Sequence, residues 1–137
     1  MTTMPRPLRL LPGVDLRREL ERQVRAGEIG AGFVVAGIGS IGAAQIRLAN
    51  DAAETCFDGP HEVQTLSGSL SVDGAHLHVT VANASGRVIG GHLCHGNIVR
   101  TTAELLLLET PGWRLGRAVD AATGYAELLV SPDPPAP

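Results

Sequence analysis

The sequence predicts a single α+β domain that combines one N-terminal helix with a mostly antiparallel sheet. The length of 137 residues suits one domain. One early segment repeats apolar residues at helical spacing, whereas most of the later chain alternates apolar and polar residues in short runs broken by turn residues. Hydrophobic residues form 44% of the chain and aromatic residues only 3%, so we expect an aliphatic core.

The helix follows Pro12 and Gly13. Leu16, Leu20 and Val24 lie on one helical stripe, Asp15 is placed to cap the N-terminus, and Gly27 is placed to end the helix. Arginines and glutamates are mixed on the remaining surface, which is typical of a solvated, salt-bridged face.

Strand patterns begin at Gly32 and continue to the C-terminal region. The segment from Val99 to Leu108 also fits a helix by pattern alone. The predicted strands are Phe33–Ile38, Ala44–Leu48, Glu62–Leu66, Ser69–Val72, His76–Val81, Arg87–Leu93, Leu105–Glu109 and Tyr125–Val130.

The two ends of the chain are rich in proline. We expect a domain over residues 8–130, an extended N-terminus over residues 1–7 and a flexible tail over residues 131–137. No signal peptide or membrane-spanning segment is evident. The two cysteines, Cys56 and Cys94, are far apart and form no CxxC motif, which favours a reduced, cytoplasmic protein.

The charge balance excludes a nucleic-acid polycation. All eleven basic residues are arginine, and the formal net charge is −3.

The segment Gly37–Gly42 matches GxGxxG directly after a predicted strand, and Glu62 follows at about the spacing of a dinucleotide site. A dinucleotide site needs a helix at the third glycine, but Ala44 to Asn50 alternates like a strand. We therefore interpret the glycines as a strand-to-strand turn and predict neither NAD nor FAD.

Histidines carry the strongest chemical signal, because His76, His78, His92 and His95 fall within twenty residues. His76 and His78 are separated by one residue, which places both imidazoles on one face of a strand. Whether His92 joins them depends on the register of the hairpin that links the two strands.

Two hairpin registers are possible around Ala84, Ser85 and Gly86. A two-residue loop would turn His92 into the apolar face. A three-residue loop with Gly86 in the left-handed conformation keeps both apolar faces together and sets His92 opposite His78. We favour the second register, which brings His76, His78 and His92 together.

Three converging imidazoles predict a divalent metal site, with zinc first and nickel or iron next. The alternative is a hydrogen-bonded histidine pocket or a subunit interface. Glu62 and Glu104 are candidates for a fourth ligand or for hydrogen bonding to a ligand, and each could instead pair with an arginine or a backbone amide. We place His61 and His95 on the surface or in loops, and Cys94 in the core.

Several motifs together resemble the PPC (plants and prokaryotes conserved) domain family across about residues 8–109. The resemblance implies a seven-stranded, mainly antiparallel sheet in a homotrimer, and it supports the three histidines as the family's metal position. The motifs are Leu8–Leu16, Gly32–Val34, Gly37–Ser40, His76–His78, Gly90–Leu93 and Thr102–Leu105.

The resemblance also implies a DNA-associated role, since plant members carry the domain beside AT-hook segments. This chain has no AT-hook, and the plant partner-binding stretch reads Gly59-Pro60-His61-Glu62-Val63. Three hypotheses follow: a trimeric regulatory or interaction module with a histidine metal site, a metal-dependent enzyme acting on a small molecule, and a structural trimer without metal.

Overall fold

The computed structural model describes residues 3–135. One helix and ten strands follow one another along this part of the chain. In order they are β1 (Met4–Leu10), α1 (Leu16–Arg25), β2 (Gly32–Ile41), β3 (Ala44–Arg47), β4 (Glu54–Phe57), β5 (His61–Ser71), β6 (Gly74–Ala82), β7 (Val88–Leu93), β8 (Val99–Glu109), β9 (Trp113–Val119) and β10 (Ala126–Pro132).

Eight strands form one sheet in the order β1-β8-β2-β5-β6-β7-β3-β4, with antiparallel pairing between neighbours. β9 and β10 form a separate two-stranded hairpin. The α+β prediction with a mostly antiparallel sheet is confirmed, and the main sheet has one strand more than the predicted seven.

The helix covers one face of the main sheet. Asp15 accepts a hydrogen bond from the backbone N–H of Arg18 at 3.2 Å, and Gly27 adopts a φ of +71° just beyond the helix end, as predicted. Leu16 and Leu20 are buried in an aliphatic core shared with the inward side chains of the strands. We call the opposite face of the sheet the outer face.

The glycine segment lies within a strand and forms no turn at Gly37 or Gly39. A Cβ on Gly39 would come within 2.3 Å of the Thr102 carbonyl oxygen, and one on Gly37 within 2.7 Å of the Leu105 side chain. These glycines therefore allow close packing inside the sheet. The chain turns only after Ile41 and continues into β3, so no helix follows the motif.

Several boundaries differ from the prediction because pairing with β8 and within the hairpin extends the ordered strands. Met4 to Pro7 pair with β8 and belong to the sheet, and β10 continues to Pro132. Val99 to Glu109 is a strand throughout. Residues 1–2 and 136–137 of the predicted terminal segments lie outside the described residues. Of the described helices, none has the length and apolarity to cross a membrane.

Candidate metal centre

The β6–β7 hairpin adopts the three-residue loop, and the predicted register is correct. His78 is opposite His92, and Val81 is opposite Ile89. Gly86 has a φ of +79°, the left-handed conformation that the loop requires. Asn83 closes the loop through a hydrogen bond from its backbone N–H to the Arg87 carbonyl at 3.0 Å.

This register brings the three predicted histidines together on the outer face. The ring centroids lie 5.0 Å apart for His76 and His78, 4.8 Å for His78 and His92, and 5.4 Å for His76 and His92. One nitrogen from each ring falls within 4.8 Å of the others. The side chains that alternate with His76 and His78 point into the core, which fixes the direction of the imidazoles.

The donor set fits a divalent metal such as zinc. Zinc–nitrogen bonds of about 2.0 Å in tetrahedral geometry place ligand nitrogens about 3.3 Å apart, so the three nitrogens would have to approach one another by up to about 1.5 Å to hold the ion. Within residues 3–135, none of the three rings takes part in a side-chain hydrogen bond. His76 and His78 are exposed and His92 is half-buried, so their nitrogens are accessible to an ion.

The electrostatic setting favours the neutral imidazoles that bind metals. Burial, followed by the positive charge of Arg117 and the neighbouring histidines, lowers the pKa of His76 below its ordinary value. Burial and then the charge of Arg47 lower the pKa of His92 in the same direction. Arg47 is opposite His92 across β3 and β7, which explains its influence. Both shifts reduce proton competition for a metal.

The two predicted carboxylates are not grouped with the triad in this chain. Glu62 is opposite Ala82, four residues from His78, which corresponds to about 13 Å along a strand. Glu104 lies on β8, separated from β6 by β2 and β5, or about 14 Å across the sheet. Their roles as metal partners stay predictions.

The two remaining histidines are held by other partners. His61 is 4% exposed and donates from Nδ1 to the Gly42 carbonyl at 3.1 Å, so its placement on the surface was wrong. It begins β5 opposite Ile41, where pairing with β2 encloses it. His95 lies in the loop after β7, as predicted, but donates to the buried Glu21 carboxylate at 2.7 Å. Cys94 is buried, as predicted.

A pocket of about 300 Å³ lies beside the triad, and no pattern in the sequence predicts it. Its floor comes from β5 and β6, and its far wall from the β9–β10 hairpin, in which β9 was not predicted. Because the wall arises from a separate two-stranded unit folding back on the sheet, only tertiary packing reveals it. The lining residues are Phe33, Ser67, Gly68, Ser69, His76, His78, Arg117, Glu127 and Leu128.

The structure is similar to several solved structures of other proteins. A hypothetical protein from Salmonella enterica is 36% identical with a TM-score of 0.90, covering 96% of this chain and 95% of that one. A metal-containing protein from Archaeoglobus fulgidus is 29% identical with a TM-score of 0.75, covering 92% of this chain and 93% of that one.

A curated relative from a Synechococcus species, the bifunctional protein GlmU, is 48% identical over 126 residues, which are 92% of this chain. The chain spans only 20% of that relative's length. Residues 3–111 match the Plants and Prokaryotes Conserved (PCC) domain, the family also abbreviated PPC. The fold and this match together show that the chain belongs to the Plants and Prokaryotes Conserved domain family.

Proposed function

We propose that this PCC domain binds one divalent metal ion, zinc first, through His76, His78 and His92. The observation that carries the proposal is the approach of one nitrogen from each ring to within 4.8 Å of the others on an accessible face. The solved Archaeoglobus relative described as metal-containing supports it.

The proposed role of the site is structural or sensory within a regulatory or interaction module. Three imidazoles leave a further coordination position, and a zinc ion bound there supplies Lewis acidity. The pocket beside the triad favours a second candidate, a metal-dependent enzyme acting on a small molecule. Turnover that disappears in His92→Ala while assembly is retained would distinguish this candidate from the first.

We further propose that the domain assembles as a homotrimer in the cytoplasm. An apolar part of the outer face supports self-association, because Ile38 and Leu106 are 55% and 39% exposed beside a groove formed by β1, β8 and β2. Light scattering coupled to gel filtration should give three times the chain mass. A monomer at micromolar concentration would contradict this part of the proposal.

Association with DNA has weak support from the charges. Within the described residues, several guanidinium groups already lie within 4.0 Å of carboxylates, and the formal net charge is −3. The paired arginines are Arg6, Arg17, Arg18, Arg22 and Arg114. A fluorescence anisotropy titration of duplex DNA at low salt tests this role. Binding that weakens steeply with added salt would support it, and no binding would remove it.

Elemental analysis tests the metal site directly. Untagged protein, purified without chelators and equilibrated with zinc, should retain about one zinc ion per chain and lose it only to a strong chelator. His76→Ala and His78→Ala should each abolish stoichiometric retention.

The matched control is His95→Gln, which removes a nearby histidine outside the triad and keeps a donor for Glu21. Equal metal content in His78→Ala and wild-type protein would contradict the proposed site.

A further inference from the structure

The pocket beside the triad contains an arginine, Arg117, that is not one of the proposed metal ligands. Arg117 on β9 is half-buried, and within residues 3–135 it forms no ion pair with a carboxylate within 4.0 Å. Its guanidinium lines the pocket together with His76 and His78. A half-buried guanidinium that makes no direct ion pair is a ready partner for an anionic ligand.

The fold holds Arg117 in position from two sides. Nη2 donates to the Ser69 hydroxyl at 2.6 Å, and Ser69 is opposite His76 on the adjoining strand. The backbone N–H of Arg117 donates to the Asp73 carboxylate at 2.9 Å, which fastens β9 to the turn between β5 and β6. The guanidinium is therefore positioned before any ligand arrives, which lowers the entropic cost of binding.

The rest of the pocket limits the chemistry of the ligand. Phe33 and Leu128 supply apolar walls, and the volume of about 300 Å³ suits a small molecule. Glu127 adds one negative charge to the lining, and Thr123 donates to its carboxylate at 3.1 Å. That charge disfavours a doubly charged phosphate, whereas one carboxylate matches the planar donor fork of arginine.

We propose that the pocket binds a small organic carboxylate, with the carboxylate on Arg117 and the remainder of the molecule extending between Phe33 and Leu128 toward the histidine triad. The inference rests on the proposed function in one respect: the end of the ligand away from its carboxylate faces the proposed metal site. Arg117 lies beyond residue 111, where the family match ends.

Isothermal titration calorimetry with butyrate, a monocarboxylate with an apolar tail, as the probe tests the proposal. Zinc-equilibrated wild-type protein is compared with Arg117→Gln, and Arg114→Gln is the matched control on the same strand. Arg114 has a side chain that is 66% exposed, lies 3.9 Å from Asp133 and is not one of the residues that line the pocket. We expect Arg117→Gln to raise the Kd about ten- to a hundred-fold and Arg114→Gln to change it less than about two-fold.

Arg117→Lys adds a graded comparison, since it keeps the charge but loses the fork, and its Kd should lie between those of the wild type and Arg117→Gln. Zinc content is measured in each variant and should not change. Equal butyrate affinity in the wild type and Arg117→Gln would overturn the inference.

A metal-free titration separates this inference from the proposed function. If the wild type retains no zinc, the metal proposal fails, and the metal-free comparison of wild type with Arg117→Gln decides the carboxylate site on its own. A difference between the two supports the inference, and equal affinity overturns it.

Discussion

The molecule puts histidine to two uses on opposite sides of one sheet. On the outer face, His76, His78 and His92 approach one another and have no side-chain hydrogen bonds within the described residues. On the side covered by the helix, His95 donates to a carboxylate that is already held by several donors. The comparison shows that satisfied polar groups serve the fold, whereas grouped and unsatisfied ones are available to a ligand.

The helix-side network is centred on Glu21 of α1, which is 6% exposed. Its carboxylate accepts hydrogen bonds from Arg17 at 3.0 Å, the Ala75 backbone N–H at 3.1 Å and His95 at 2.7 Å. Arg17 also donates to the Leu93 carbonyl at 3.0 Å. Ala75 and Leu93 immediately precede His76 and follow His92, so this network anchors both strands that carry the triad.

The largest expected effect concerns the histidine triad on the outer face. Zinc at about 100 times its Kd should raise the free energy of unfolding of the wild type by about 2.7 kcal/mol, because the ion binds only the folded arrangement. His78→Ala should lose this gain, while its stability without metal should change by less than about 0.5 kcal/mol, since the side chain is exposed. Denaturant unfolding with and without zinc measures both quantities.

If zinc raised the free energy of unfolding of His78→Ala by the same amount, the comparison would be contradicted, because the triad would then have no special role in binding the ion.

The second prediction concerns the Glu21 network on the helix side of the sheet. Glu21→Ala should lower the free energy of unfolding of the metal-free protein by about 2 kcal/mol, because it removes the acceptor of the buried Ala75 N–H and of the partly exposed Arg17 and His95 side chains. Glu62→Ala is the matched control, because Glu62 is an exposed glutamate on the opposite face of the sheet. Denaturant unfolding of both variants makes the measurement. Equal stability of the two would show that the network contributes little.

The two sides should also respond to acid in different pH ranges. The pKa values of His76 and His92 lie below the ordinary 6.5, so zinc should be retained at neutral pH and released as the pH falls through these lowered values. Burial opposes ionisation of Glu21, but its hydrogen bonds from His95, Ala75 and Arg17 together hold its pKa below 4.5.

The sign for Glu21 follows from linkage. Its stabilising contribution is fully present above pH 4.5 and is lost as the pH falls through the lower folded-state pKa. Zinc retention of the loaded protein and the unfolding free energy of the metal-free protein, each measured from pH 8 to pH 3, should therefore fall in two separate steps, zinc first. A single coincident loss would show that the two sides are coupled.

The smallest expected effect tests whether the turn between β6 and β7 sets the register that brings the triad together. Gly86→Ala should cost about 1 kcal/mol, because Gly86 has a φ of +79° and an alanine is strained there, with no neighbouring atom within 4 Å. Zinc retention should persist, since the register also depends on the alternating core residues. Thermal unfolding and metal content check the two parts. Loss of zinc alone would mean that the turn, more than the core, sets the register.

The amino-acid sequence by itself determined the fold class, the helix with its Asp15 cap, and the convergence of the three histidines. These features depend on local periodicity and on one hairpin, in which Leu77, Val79 and Val81 must face the core and so force His76 and His78 outward.

Only the tertiary structure decided what lies farther apart in the chain. The pairing of His95 with Glu21 spans 74 residues, and the contact of Arg117 with Ser69 spans 48. The burial of His61 and the separation of Glu62 and Glu104 from the triad likewise follow from strand order across the sheet. Hydrophobic periodicity fixes which face a side chain takes, but it carries no information about which distant strand or hairpin will pack beside it.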